Sequence, residues 1–360
     1  MQLEVRPQPS PFWSYASPIL ALLVTVAIGI GLFVALGKDP VKGLQVFFWE
    51  PVKSPYAVGE LLVKATPLLI IALGLAVCFR SNVWNIGAEG QFIIGALAAG
   101  GVALLADKTT GPWIIPAILA AGVLGGMFWA GITAFLRDRF NANEILVSLM
   151  LVYVADLVLS YLVFGPWKDP AGYNFPQTRT FDAVTQIPRL MPGSRVTIGI
   201  VLALAGVAAL WLYLYRTYAG FAQEVSGQAP EAARYAGFSS RRALWVALLI
   251  SGGAAGLAGA LEVAGPLGQL TPYVPAGYGF AAIIVAFVGR LHPVGVVFSA
   301  LLMSMFYIGG ELAQSRLGLP KSITGVFQGL LLFNLLACDI LIAYRLRFSK
   351  PVPTVAQKAR

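Results

Sequence analysis

The residues of this sequence that could do chemistry are mostly acids within apolar stretches: Glu89, Asp156, Glu262 and Glu311. Ionisable groups at membrane depth are costly to bury and commonly mark functional sites. Such acids could relay protons, but each could also hydrogen-bond between helices or cap a helix N-terminus. For Glu89, which follows a glycine turn, capping and lining a path both remain open. No Lys or Arg is predicted in the middle of a span.

Residues for catalysis are harder to assemble. The single histidine, His292, precedes a proline and is interpreted as a turn residue, and Cys78 and Cys338 are interpreted as apolar packing residues. Neither a metal-binding pattern nor a phosphate-binding glycine loop is found. We therefore predict no catalytic residue, no metal and no cofactor. An intramembrane enzyme using His292 or Asp156 is an alternative, and it requires turnover by the chain alone.

The hydrophobic and charged fractions of the sequence indicate which kind of secondary structure holds these residues in place. Of 360 residues, 58% are hydrophobic and only 11% are charged, far below the charged fraction of about 25% that is typical of soluble proteins. The net charge of +9 lacks the basic, aromatic-interleaved runs of nucleic-acid binders. We predict an all-α polytopic membrane protein whose surroundings are a lipid bilayer, with no nucleic-acid partner.

About ten stretches approach the length of about 20 apolar residues that a transmembrane helix needs. The first is interpreted as a retained helix and the eighth is short. The predicted spans are 18–36, 58–79, 85–106, 113–136, 144–165, 196–215, 243–264, 280–289, 293–312 and 322–344.

Arginine clusters predict the orientation, because short cytoplasmic connections are enriched in positive residues. They favour a cytoplasmic N-terminal tail (1–17), a transmembrane domain (18–344) and a cytoplasmic C-terminal tail (345–360). Within that domain, the loop 166–195 is predicted to be periplasmic and the loop 216–242 cytoplasmic.

Two polar, glycine- or proline-rich segments interrupt the apolar pattern, SNVWNIGAEGQ (81–91) and GPLGQLTPYVPAGYG (265–279). Irregular backbone is tolerated at membrane depth only when buried in protein or lining a water-filled cavity. The paired interruptions indicate a transport path, although ordinary surface loops remain an alternative. If a helix begins by Asn85, then Asn85 and Glu89 share a face and Gln91 points elsewhere. Tyr273 and Tyr278 are the candidate path residues of the second segment.

Small residues at four-residue spacing predict close helix packing. The residues concerned are Gly122, Gly126, Gly252, Gly256 and Gly259.

The cytoplasmic loop contains a short helix signal. Pro230 suits an early helix position, strong helix formers follow, and Gly237 can adopt the left-handed conformation that ends a helix. Such a helix could transmit force from a separate motor, or could simply be an amphipathic surface helix.

Two stretches carry a family resemblance. EAARYAG (231–237) resembles the coupling signature EAA-x-x-x-G of bacterial ABC importer permeases, although the usual downstream apolar-proline ending is absent. LLVKATPLLIIALGLAVCFRSNVWNIGAEGQF (61–92) and AGYGFAAIIVAFVGRLHPVGVVFSALL (276–302) resemble the nucleoside and simple-sugar permeases of the broad family that also holds ribose and branched-chain amino acid permeases.

This resemblance implies a non-enzymatic permease subunit of a bacterial inner membrane, with residues 18–344 as its permease domain. The subunit would pair with a second permease, identical or related. Cytoplasmic ATP-binding subunits and an extracytoplasmic substrate-binding protein would be its partners, and nucleosides the usual substrates. Residues 231–237, including Glu231, Ala232, Ala233 and Gly237, would dock in an ATPase cleft, and residues 85–91 would lie near the path. The main alternative is a proton-coupled secondary transporter, in which the buried acids would form a relay.

Overall fold

The computed structural model describes residues 2–6, 10–107, 109–191 and 193–347, and helices dominate them. Two short strands pair at the chain ends, β1 (Gln2–Val5) and β2 (Tyr344–Arg347). The helices, in chain order, are α1 (Pro11–Ala35), α2 (Pro40–Leu44), α3 (Pro55–Arg80), α4 (Ala88–Leu105), α5 (Ile114–Phe140), α6 (Glu144–Phe164), α7 (Gly199–Arg216), α8 (Tyr218–Gln228), α9 (Pro230–Tyr235), α10 (Ser240–Glu262), α11 (Tyr278–Val288), α12 (Pro293–Leu317) and α13 (Ser322–Ala343).

Nine helices of the described ranges are long and apolar enough to cross a membrane, and α11 is a shorter apolar helix. The predicted all-α polytopic fold is thus confirmed. Each predicted span coincides with one of these ten helices. The largest error concerns the first span, because α1 begins at Pro11 and so takes in residues of the predicted N-terminal tail.

The chain divides into two compact units, residues 1–44 with 313–360 and residues 45–312. In the first unit, α1 packs along α13: the Phe33 and Phe327 rings lie 5.8 Å apart, and Asn334 Nδ2 donates to Thr25 Oγ1 at 3.0 Å. The second unit holds α3 to α11 and most of α12. The predicted C-terminal tail begins within β2 and, from residue 348, lies outside the described residues.

The pairing of the chain ends determines the parity of the membrane crossings. Because β1 and β2 form an antiparallel pair, both ends of the chain lie on one side of the membrane and the number of crossings is even. Nine long helices found in the described part give an odd number. The shorter apolar helix of the described part, α11, follows the irregular segment 268–277 and is the candidate for a tenth crossing.

Glycines let α4, α5 and α10 approach closely in the second unit. A Cβ atom on Gly126 would overlap the carbonyl of Gly252 and the backbone of Gly256, and one on Gly259 would overlap the Phe92 carbonyl. A Cβ on Gly122 would lie 2.5 Å from that of Ala260. The predicted small-residue surfaces are confirmed, and they form the core against which the interrupted segments are held.

Candidate functional site

In the first interrupted segment, the chain leaves α3 after Arg80 and enters α4 at Ala88, so residues 81–87 are irregular. Within it, Asn85 is fully buried and forms a reciprocal amide pair with Gln91, with Nδ2–Oε1 and Nε2–Oδ1 distances of 2.9 and 3.0 Å. Asn85 Nδ2 also donates to Ser251 Oγ at 2.9 Å. The prediction that Asn85 shares a helix face with Glu89 while Gln91 points elsewhere is wrong, because the helix begins three residues after Asn85.

The amide pair lies deep in the unit. Ser251 is eleven residues after Ser240, where α10 begins, so at 1.5 Å per residue it is about 16 Å along that helix. Eleven residues of α10 also follow Ser251, so the amide pair lies beside the middle of a helix that is long and apolar enough to cross a membrane. Within the irregular segment, Ser81, Val83, Asn85 and Gly87 are buried, whereas Asn82 and Trp84 are exposed.

The second interrupted segment follows α10 directly. The helix passes into one π-helical turn, Val263–Leu267, which ends at Gly268 in the left-handed region. An irregular stretch then reaches Gly277, also left-handed with φ +78°, and α11 begins at Tyr278. The prediction that neither segment is helical throughout is confirmed.

Glu89 joins the two segments. Its carboxylate is 2% exposed and accepts hydrogen bonds from the backbone N–H groups of Gly277, at 2.8 Å, and of Gly279. These donors belong to the unpaired first turn of α11, so Glu89 caps that helix from another part of the chain. A Cβ on Gly279 would overlap the backbone at Glu89, so the starts of α4 and α11 are in direct contact.

The two candidate tyrosines lie in different surroundings. Tyr278 is 1% exposed, with its ring 5.8 Å from that of Phe92 and 5.5 Å from that of Tyr307. Tyr307 in turn donates its hydroxyl to the Ala276 carbonyl at 3.1 Å. Tyr273 is 85% exposed on the irregular stretch. The structure thus places Asn85, Glu89, Gln91 and Tyr278 in one buried region and Tyr273 at the surface.

Lys64 is a candidate that sequence reasoning missed, and the prediction of no basic residue in mid-span is wrong. It lies in α3, nine residues after the helix start. Its Nζ is 3.1 Å from Glu311 Oε1 and 5.8 Å from the centre of the Tyr278 ring. The signal was present, since Lys64 falls within the predicted span 58–79, but the apolar average of the segment concealed it.

The remaining acids differ in exposure. Glu262, at the end of α10, is 8% exposed, and the positive charges of Lys64 and Arg195 attract its carboxyl group. Arg195, in the loop before α7, pairs with Glu60, and this hydrogen bond raises the pKa of the Arg195 guanidinium. Asp156 is exposed on α6 and close enough to Glu89 for their charges to interact.

The predicted coupling segment is a short helix, α9, which begins at Pro230 as its sequence indicates. It ends in a Schellman motif: Gly237 has φ +83° and donates to the Arg234 carbonyl at 3.1 Å, and Phe238 donates to the Ala233 carbonyl at 2.8 Å. This is the left-handed stop predicted for Gly237. Glu231, Ala232 and Gly237 are exposed and Ala233 is buried, so the motif presents one open face.

Comparisons with known proteins agree with this architecture. A family model described as branched-chain amino acid transport system / permease component matches residues 57–336. The glucose ABC transporter permease protein TsgB13 of Haloferax volcanii is 34% identical, over 96% of this chain and 93% of its own length. The guanosine ABC transporter permease protein NupP of Bacillus subtilis is 29% identical over 86% and 89%, respectively. No solved structure matches the chain.

Proposed function

This chain belongs to the family of branched-chain amino acid transport system permease components, and from that premise we propose that its own cargo is a nucleoside or a simple sugar. It is an integral membrane protein and a translocation-path subunit of an ABC importer. It is not itself an enzyme, because ATP is hydrolysed in a partner subunit. Family membership favours this function over a proton-coupled secondary transporter.

The observation that carries the proposal is the contact between the two interrupted segments inside the unit. Glu89 accepts hydrogen bonds from Gly277 and Gly279 of the second segment, Asn85 pairs with Gln91 in the first, and Lys64 borders Tyr278. Sites for small polar molecules combine apolar and aromatic walls with a few placed hydrogen-bonding groups. Amides and tyrosines suit a neutral, hydroxyl-bearing ring, because they replace water without trapping the solute.

Two exposed acids within the spans support a path or a protein contact. Asp156 is exposed twelve residues into α6, about 18 Å from the helix start at 1.5 Å per residue. The Glu311 side chain is 58% exposed within α12. Because charges facing lipid are costly, we infer that each of these side chains faces water or a second permease subunit, identical or related.

Energy would enter at α9. In the proposed cycle, ATP binding closes two cytoplasmic ATPases around the exposed face of residues 231–237. The permease pair then shifts between outward-open and inward-open states. An extracytoplasmic binding protein delivers the solute at the side of the loop before α7. In this scheme Asn85, Glu89, Gln91, Tyr273 and Tyr278 border the path in at least one state.

Two almost fully exposed tyrosines provide a test with a matched control. Tyr235 on α9 is 98% exposed and Tyr173, in the loop between α6 and α7, is 94% exposed. Each is replaced by cysteine in a Cys338→Ser background, and the tagged chain is purified in mild detergent after thiol crosslinking. We expect an ATPase crosslinked at 235 and not at 173.

Cargo is then measured as ATP-dependent uptake of labelled guanosine and of labelled glucose into proteoliposomes that contain the copurified subunits and the binding protein. Uptake of one solute, competed by its own class, supports the proposal. A chain that purifies alone and moves solute in response to a proton gradient would overturn it. If the complex contains the ATPase but takes up neither solute, the assignment of the cargo would be wrong, while the assignment as an ABC importer subunit would stand.

A further inference from the structure

A single guanidinium connects four elements at the end of α3. Arg80, the last residue of α3, donates from Nη1 to Tyr215 Oη of α7 at 2.8 Å and to the Leu291 carbonyl of the α11–α12 turn at 3.4 Å. From Nη2 it donates to Glu224 Oε1 of α8 at 3.1 Å. The next residue begins the interrupted segment 81–87. Arg80 is thus bonded both to the segment that precedes the coupling helix and to the turn that ends α11.

The α8 end of this connection is firmly held. Glu224 also accepts from Gln228 Nε2 at 3.0 Å, and a Cβ on Gly227 would overlap the backbone of Ser81. A single residue, Ala229, separates α8 from α9. A force applied to α9 therefore reaches Glu224 through one short connection.

The α11 end is a strained turn. Arg290 and Leu291 have φ values of +57° and +52°, a left-handed conformation that is rare for residues other than glycine and unfavourable for a side chain as large as leucine. The His292 ring packs against Tyr215 at 5.5 Å. Strained turns of this kind persist only where their surroundings fix them, and Arg80 supplies one of the bonds that does so.

Aromatic packing links the same elements. The Phe79 ring stacks on that of Phe287, near the end of α11, at 4.9 Å, and Trp84 of the interrupted segment lies 5.5 Å from Phe79 and 6.1 Å from Phe287. The cytoplasmic ends of α3 and α11 are therefore packed together. Because α11 has eleven residues, a displacement of this end is carried about 16 Å along a rigid helix to the end that Glu89 caps.

We propose that Arg80 is a positioning residue that couples displacement of the α8–α9 segment to α11, and through α11 to the site where the two interrupted segments meet. The proposal rests on the proposed function, because it takes α9 as the ATPase contact. Movement of α8 shifts Glu224, Arg80 follows its carboxylate, and the α11–α12 turn follows Arg80. Both ionic side chains are largely shielded from water, being 17% and 30% exposed, so their attraction is screened less than that of a surface pair.

The test separates ATP hydrolysis from transport. Arg80→Gln and Glu224→Gln are compared in proteoliposomes with the ATPase and binding protein, and both hydrolysis and uptake are measured. Arg137→Gln is the matched control, since it removes another arginine from the last turn of a span, paired with Glu144 at 3.4 Å. We expect both Arg80→Gln and Glu224→Gln to keep the ATPase bound and hydrolysing while solute moved per ATP falls about tenfold, a typical allosteric coupling. Arg137→Gln should leave that ratio unchanged.

Charge reversal provides a second readout. Arg80→Glu with Glu224→Arg restores the ion pair, and we expect the double variant to recover part of the ratio that either reversal alone loses. A wild-type ratio in both Arg80→Gln and Glu224→Gln would overturn the proposal. So would failure of Arg80→Gln to assemble combined with normal coupling in Glu224→Gln, because Arg80 would then serve folding alone. Absence of any ATPase from the wild-type complex would instead refute the proposed function.

Discussion

The capping of α11 by Glu89 leads to a quantitative prediction. Glu89 is 2% exposed and accepts from the backbone N–H groups of Gly277 and Gly279. Glu89→Ala removes both acceptors, whereas Glu89→Gln keeps one oxygen at a similar position. A graded loss of stability is therefore expected, with the alanine variant least stable and the glutamine variant intermediate.

The expected magnitudes follow from the cost of leaving a buried N–H without a partner, about 1–3 kcal/mol for each group. Glu89→Ala strands two such groups and should lower the free energy of unfolding by about 2–6 kcal/mol. Glu89→Gln strands one and should lower it by about 1–3 kcal/mol.

Cys78 makes this measurable, because its thiol is fully buried in the folded chain. In a Cys338→Ser background, a thiol-reactive dye reports unfolding as Cys78 becomes accessible. Glu231→Gln, at an exposed position of α9, is the control and should unfold like the parent. Equal stability of Glu89→Ala and the parent would refute the capping role. If Glu89→Gln were stable but abolished the pH dependence of uptake, Glu89 would instead be a proton carrier.

Three further variants test separate parts of the structure. Gly237→Val places a β-branched residue at φ +83°, at a cost of about 1–2 kcal/mol. This variant should insert into the membrane normally, but its coupling to the ATPase should weaken. The control is Gly31→Val, whose new side chain enters open space and which should couple normally. Gly256→Leu would overlap helix backbone and should sharply reduce the yield of folded protein in detergent, whereas Gly131→Leu, whose nearest neighbour is 4.0 Å away, should not. Lys64→Met should lower uptake with little change in thermal stability, since partly exposed ion pairs contribute about 0–1 kcal/mol; normal uptake would remove Lys64 from the path.

Features that depend on neighbouring residues could be predicted from the sequence. The spans follow from apolar length, and α9 from Pro230 at its start and Gly237 at its end, since the left-handed stop needs only a residue without a Cβ. The positions of the two interrupted segments follow in the same way from polar, glycine and proline residues that cannot continue an apolar helix. In each case the deciding interaction lies within a few residues along the chain.

The contacts that build the site could not be predicted, because they join distant residues. Glu89 and Gly277 are 188 positions apart, and no spacing rule connects an acid to the N-terminus of a helix so far along the chain. The face shared by Asn85 and Glu89 was wrongly predicted because it assumed helix before Ala88, where an amide pair holds irregular backbone instead. Lys64 was missed because the apolar average of its segment concealed it, and its partner Glu311 lies on a different helix, 247 positions along the chain.

The contacts of the four acids also argue against a proton relay as the mechanism. A relay needs carboxyl groups that can exchange protons with one another. Both oxygens of Glu89 hold backbone N–H groups, and Glu311 is paired with Lys64. Glu262 faces Lys64 and Arg195, while Asp156 is exposed on α6. Asp156 is close enough to Glu89 for their charges to interact, but Glu89 itself is engaged in holding the two interrupted segments together. The energy for transport then has to enter elsewhere, and α9, through α8 and Arg80, is physically connected to the helix that Glu89 caps.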